Sequence, residues 1–66
     1  MGYRLTELRR EKSLTLYFVA AALGVYPPTL SHYERGVHYP PFWIFLELAK
    51  YYGVTLDYLA YGKKEK

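Results

Sequence analysis

The sequence predicts an all-α domain of five short helices, and three observations predict it. Residues that start and stop helices recur in order along the chain: Thr15 then Gly24, Pro27 then Gly36, Pro40-Pro41 then Gly53, Thr55 then Gly62. Between them, apolar residues recur three and four apart instead of alternating. The chain has 66 residues and no cysteine, so one compact core must supply the stability without disulfides or a cysteine zinc site. We expect one domain over residues 1–62 and a basic tail over 63–66.

The first helix is expected from about Tyr3 to Lys12, with Leu5 and Leu8 on one face and charges elsewhere. The second, Leu16 to Leu23, opens after Thr15, whose hydroxyl can accept from a free backbone amide, and stops at Gly24, which adopts the left-handed conformation cheaply. The third runs from Pro27 to Arg35; proline suits a first turn whose amides have no intrahelical acceptor, and Gly36 ends it. Pro40 and Pro41 announce a fourth helix to Tyr52, closed by Gly53, in which Phe42, Phe45, Leu46, Ala49 and Tyr52 form the apolar stripe and Trp43, Glu47 and Lys50 lie off it. Thr55 caps a fifth, Leu56 to Tyr61, ended by Gly62. The predicted core is Leu5, Leu8, Leu14, Val19, Ala20, Leu23, Val25, Leu30, Tyr33, Phe42, Phe45, Ala49, Val54, Leu56 and Leu59.

The net charge of +3 leans toward nucleic acid, but it is concentrated in Arg4, Arg9, Arg10 and Lys12 near the start and Lys63, Lys64 and Lys66 at the end. Nine tyrosines, three phenylalanines and one tryptophan exceed what so small a helical core can hold, so some aromatic rings must face outward. The longest apolar stretch, Leu14 to Val25, is too short to cross a bilayer, and the charges from Arg4 to Lys12 stand where an export signal would be apolar. A soluble protein, cytoplasmic if natural, is therefore expected, with no membrane partner. The two histidines and scattered carboxylates have no metal-ligand spacing, so no metal or other cofactor is expected. Ser31, His32 and Glu34 do not form a triad, since neighbours on a helix point to different faces, and no enzyme activity is expected.

The run Leu14-Thr15, Val19-Ala20, Leu23-Gly24-Val25, Leu30-Ser31, Tyr33-Glu34-Arg35-Gly36, then Pro40, Leu48-Ala49-Lys50, Gly53-Val54 and Leu56-Asp57-Tyr58-Leu59 resembles the XRE family of lambda-repressor-like (Cro-type) regulators. The resemblance covers almost the whole chain. It implies a five-helix DNA-binding fold with a helix-turn-helix between Thr15 and Gly36, its third helix in the major groove and its second across the phosphate backbone. By position it implies base readers at Pro27, Pro28, Ser31 and His32, and phosphate contacts at Leu16, Val37, His38, Tyr39 and Trp43. Here the chain departs from the family pattern, because proline offers no group that reads a base edge and none of these positions carries a permanent positive charge.

The second helix, Leu16-Tyr17-Phe18-Val19-Ala20-Ala21-Ala22-Leu23, has no charged or amide side chain at all. A helix apolar on every side is expected to be covered on every side. Val19, Ala20 and Leu23 can face the core, whereas Leu16, Tyr17, Phe18, Ala21 and Ala22 would project away from it. With Tyr26, Pro27, Pro28, His32, His38, Tyr39, Pro41 and Trp43 they would make an aromatic, proline-rich patch, and large exposed apolar patches commonly mark interaction sites. The favoured expectation is therefore a protein-binding module, an engineered one included, that uses Leu16, Tyr17, Phe18, Ala21, Tyr26, Pro27, Pro28, His32, His38, Tyr39 and Trp43. The alternative is a sequence-specific, dimeric DNA-binding regulator using Pro27, Pro28, Ser31, His32, His38 and Tyr39 on double-stranded DNA, with part of the patch serving self-association. His32 and His38 could make either contact pH-sensitive, or play no special part.

Overall fold

A computed structural model describes residues 2–62 as five helices: α1 (Gly2–Glu11), α2 (Leu16–Leu23), α3 (Pro27–Glu34), α4 (Phe42–Tyr52) and α5 (Leu56–Tyr61). The tail expected over 63–66 lies outside the described residues. No described helix is long and apolar enough to cross a membrane.

Local chemistry sets the helix ends. The Thr15 hydroxyl accepts from the Phe18 amide at 3.0 Å, and the Thr55 hydroxyl accepts from the Tyr58 amide at 3.0 Å, so each N-cap satisfies one otherwise orphaned donor. At the other end of α2, Gly24 takes φ 75°, and the Val25 amide reaches back to the Ala20 carbonyl at 3.0 Å. That left-handed residue turns the chain sharply enough for α3 to begin at Pro27, three residues later. The end of α1 was less legible: Ser13, not glycine, takes φ 56° there. Its amide donates to the Arg10 carbonyl at 2.9 Å.

α1 and α2 both pack on α3, and α4 joins α2 and α5. Leu5, Val19, Leu30, Leu48 and Leu59 are fully buried, so every helix contributes one side chain to the centre of the core. The approach of α1 to the end of α3 is close. A Cβ on Gly2 would stand 2.6 Å from the Glu34 carbonyl oxygen and 2.7 Å from that of Tyr33, so glycine lets the two backbones meet.

One predicted face is wrong. Phe42, expected in the core, is 66% exposed and Leu46 is exposed too, while Ile44 and Leu48 are buried with Ala49 and Tyr52. The helix FWIFLELAKYY has so few polar residues that two different apolar stripes satisfy the same spacing. The observed core face is the one opposite Glu47 and Lys50, the only charges of the helix, so charge placement was the better guide. Leu14, Leu23, Val25, Phe45, Val54 and Leu56 are half-buried and pack at the edge of the core.

Candidate functional site

The helix-turn-helix of α2, Gly24 and α3 is held against α1 by one side-chain cluster. Glu34 is buried on the inward face of α3. Arg9 of α1 donates to it through two nitrogens, Nε to Oε2 at 2.8 Å and Nη2 to Oε1 at 3.0 Å, and the Thr6 hydroxyl donates to Oε1 at 3.2 Å. Arg9 Nη1 also donates to the Leu14 carbonyl at 2.9 Å. One guanidinium thus ties α3 to α1 and to the segment that enters α2, and its planar fork suits this task as an ammonium could not. The hydrogen bonds to Glu34 push the Arg9 guanidinium above its ordinary pKa.

Tyr52 of α4 lies beside this pair, and its hydroxyl is buried with no hydrogen-bond partner among the described residues. Burial pushes its phenol up to about 12, with the Glu34 charge acting in the same direction. Because the folded-state value lies above the ordinary 10, the phenol leaves stability independent of pH below about 10 and lowers it progressively as pH rises toward about 12. Tyr52→Phe is expected to raise stability by about 1 kcal/mol at neutral pH by removing an unpaired buried hydroxyl, and to flatten the alkaline loss. Urea unfolding at pH 7 and pH 11 checks both; a variant less stable than the parent at pH 7 would refute the assignment.

On its opposite side α3 presents Pro28 and His32, one turn apart, flanked by Ser31. Pro28 is exposed; Pro27, Ser31 and His32 are half-buried. Tyr26, just before the helix, is 81% exposed. The rings of His32 and His38 meet edge to face with centroids 5.2 Å apart, which braces His32 from the loop after Gly36. Tyr17, Phe18, Ala21, Ala22, His38, Tyr39, Pro41 and Trp43 are all exposed. Leu16 is the exception in α2: expected to project outward, it is half-buried and packs against the core. Among the described residues the paired rings are His32–His38 and Tyr51–Tyr52, both edge to face, so Tyr17, Phe18, Tyr26, Tyr39 and Trp43 do not pair with one another into a single aromatic sheet.

Permanent charge near this face is sparse. Arg35, exposed at the C-cap of α3, is the cation nearest in sequence to Pro28 and His32, and Lys50 lies 3.8 Å from Glu47 on α4. The described residues contain no cluster of side chains able to hold a metal ion. An open cleft of about 600 Å³ lies between the end of α1 and the α4–α5 corner, lined by residues such as Leu8, Lys12, Tyr52 and Tyr58 and by none from α2 or α3.

The signature of the helix-turn-helix family matches residues 5–59. The chain is 36% identical over 63 residues to the HTH-type transcriptional regulator AnsR of Bacillus subtilis (strain 168), covering 96% of this chain and 54% of that protein. It is 41% identical over 59 residues to the HTH-type transcriptional regulator DdrOP3 of Deinococcus deserti, covering 89% of this chain and 46% of that one. The chain therefore spans about half the length of these curated relatives. These matches overturn the expectation of a protein-binding module, engineered or otherwise. The exposed rings that suggested it sit on a scaffold shared with transcriptional regulators, and exposed apolar area does not by itself distinguish a protein partner from another surface.

Proposed function

This chain belongs to the XRE-type helix-turn-helix family, and from that premise we propose that it is the DNA-binding part of a transcriptional regulator. The observation that carries the reading is the α2–Gly24–α3 arrangement inside the matched region, with α3 buried through Leu30, Tyr33 and Glu34 and, on its other side, Pro28 exposed and His32 half-buried. α3 enters the major groove, Pro27, Pro28, Ser31 and His32 stand at the base edges, and His38 and Tyr39 lie near the phosphates. Two copies bind as a dimer across a two-fold site, each copy reading one half.

Phosphate contact does not require lysine. The first amides of a helix have no intrahelical acceptor and carry the positive end of its dipole, so the first turns of α2, at Leu16 and Tyr17, and of α4, at Phe42 and Trp43, can each receive a phosphate oxygen. Side-chain cations are few here, so binding depends on salt less steeply than in a lysine-rich domain.

Fluorescence anisotropy with a labelled pool of random-sequence duplex at low salt tests the proposal. The expected result is saturable binding on the order of 10⁻⁵ M or tighter. The affinity should fall with salt at a logarithmic slope of about −2 to −3, as for release of counterions from two or three phosphates. Absence of binding at low salt would refute it.

A further inference from the structure

The outward stripe of α3 carries no amide or guanidinium group, the side chains that read bases through paired hydrogen bonds. Pro28 carries only ring carbons, and it stands exposed in the first turn, one turn before His32. Tyr26, the N-cap residue of the same helix, adds an exposed ring, and Pro27 between them in sequence is half-buried. None of these three can form the paired hydrogen bonds by which amide and guanidinium groups choose adenine or guanine. The major groove has one apolar feature that differs between base pairs, the C5 methyl of thymine.

We infer that this face selects duplex DNA by packing Pro28, with Tyr26, on thymine methyl groups, so that thymine at the steps opposite the start of α3 is the chemical signature of its target site. The inference rests on the proposed DNA-binding function and deepens it. His32, braced by His38 at 5.2 Å between centroids, supplies one polar contact to a neighbouring base edge and sets the register. The packing arm is apolar and uncharged, so thymine selection persists as salt rises even while total affinity falls.

The test uses the 66-residue chain and a duplex selected from a random pool for tight binding. Each thymine in the bound half-site is replaced in turn by deoxyuridine, which deletes the methyl group and leaves every hydrogen-bonding group in place. The expected result is a loss of about fourfold for each contacted methyl, from the burial of one carbon. Pro28→Gln, which puts an amide where the ring was, is expected to bring the thymine-to-uracil ratio close to one at the step that Pro28 contacts. Because a proline in a first turn donates nothing, the exchange leaves the helix intact, and circular dichroism verifies this. Equal affinity for thymine and uracil duplexes would overturn the inference while leaving DNA binding in place. No selectable duplex at low salt would overturn both the inference and the function it rests on.

Discussion

Glu34→Ala is expected to cost about 3 kcal/mol of folding free energy or more, because it unpairs the buried carboxylate's partner, Arg9. The carboxylate accepts from Arg9 through both oxygens and from Thr6 through one, and its side chain is 6% exposed against 16% for Arg9. Removing it leaves a poorly hydrated guanidinium without its counter-charge and frees the end of α3 from α1. A domain of this size has a total stability of about 3 to 10 kcal/mol, so this single loss removes from about a third to all of it. Replacing both partners, Arg9→Met with Glu34→Leu, should recover most of the loss, because a well-packed apolar pair avoids the desolvation that the ions suffer. Urea titrations of the two variants beside the parent decide the matter. A loss below about 1 kcal/mol for Glu34→Ala would mean the pair is weaker than its geometry indicates.

Leu48→Ala and Phe42→Ala form the second test, because they are expected to separate widely. Leu48 is fully buried and Phe42 is 66% exposed. Truncating a buried leucine in a core this small should cost about 3 kcal/mol, the sum of lost transfer free energy and the cavity left behind. Truncating the exposed phenylalanine should change stability by about 0.5 kcal/mol or less. Thermal unfolding of the two variants gives the comparison directly. If Phe42→Ala proved the more damaging, the rotation of α4 described above would be wrong, and the face through Phe42 and Leu46 would be the buried one.

The two tests address different kinds of legibility. The order of elements, both threonine caps, the Gly24 turn and the extent of α2 could be read from residues because each depends on neighbours within a few positions. A hydroxyl three residues before an amide, or a residue without Cβ at a helix end, acts before any tertiary contact forms. The family could be read for a related reason: its spacing pattern from Leu14 to Leu59 is a record of packing positions. The rotation of α4 could not, since nearly every residue of that helix is apolar and the deciding contacts come from α2 and α5. Leu16 shows the same limit on a smaller scale. In a helix without charges, nothing in the local sequence separates the residue that seals the core from Tyr17 and Phe18 beside it.

The candidate site divides in the same way. The sequence locates α3, and the family resemblance implies base readers at Pro27, Pro28, Ser31 and His32, but the exposed aromatic content points to a protein partner, which the relatives do not support. Composition counts apolar side chains and carries no information about whether they gather into one packed surface or which partner meets them. The pairing of His32 with His38 and the fork from Arg9 to Glu34 join residues that are far apart or poorly patterned in the chain, and neither has a spacing signature.

By itself, then, the sequence determined the five helices, their caps and turns, and the helix-turn-helix scaffold, because short-range hydrogen bonding and backbone preference specify these within a few residues. Only the tertiary structure decided which side of α4 is core, that Arg9 and Thr6 of α1 clamp Glu34, and that His38 braces His32. Those outcomes depend on which elements press against one another, and that is settled by long-range packing of the whole domain at once.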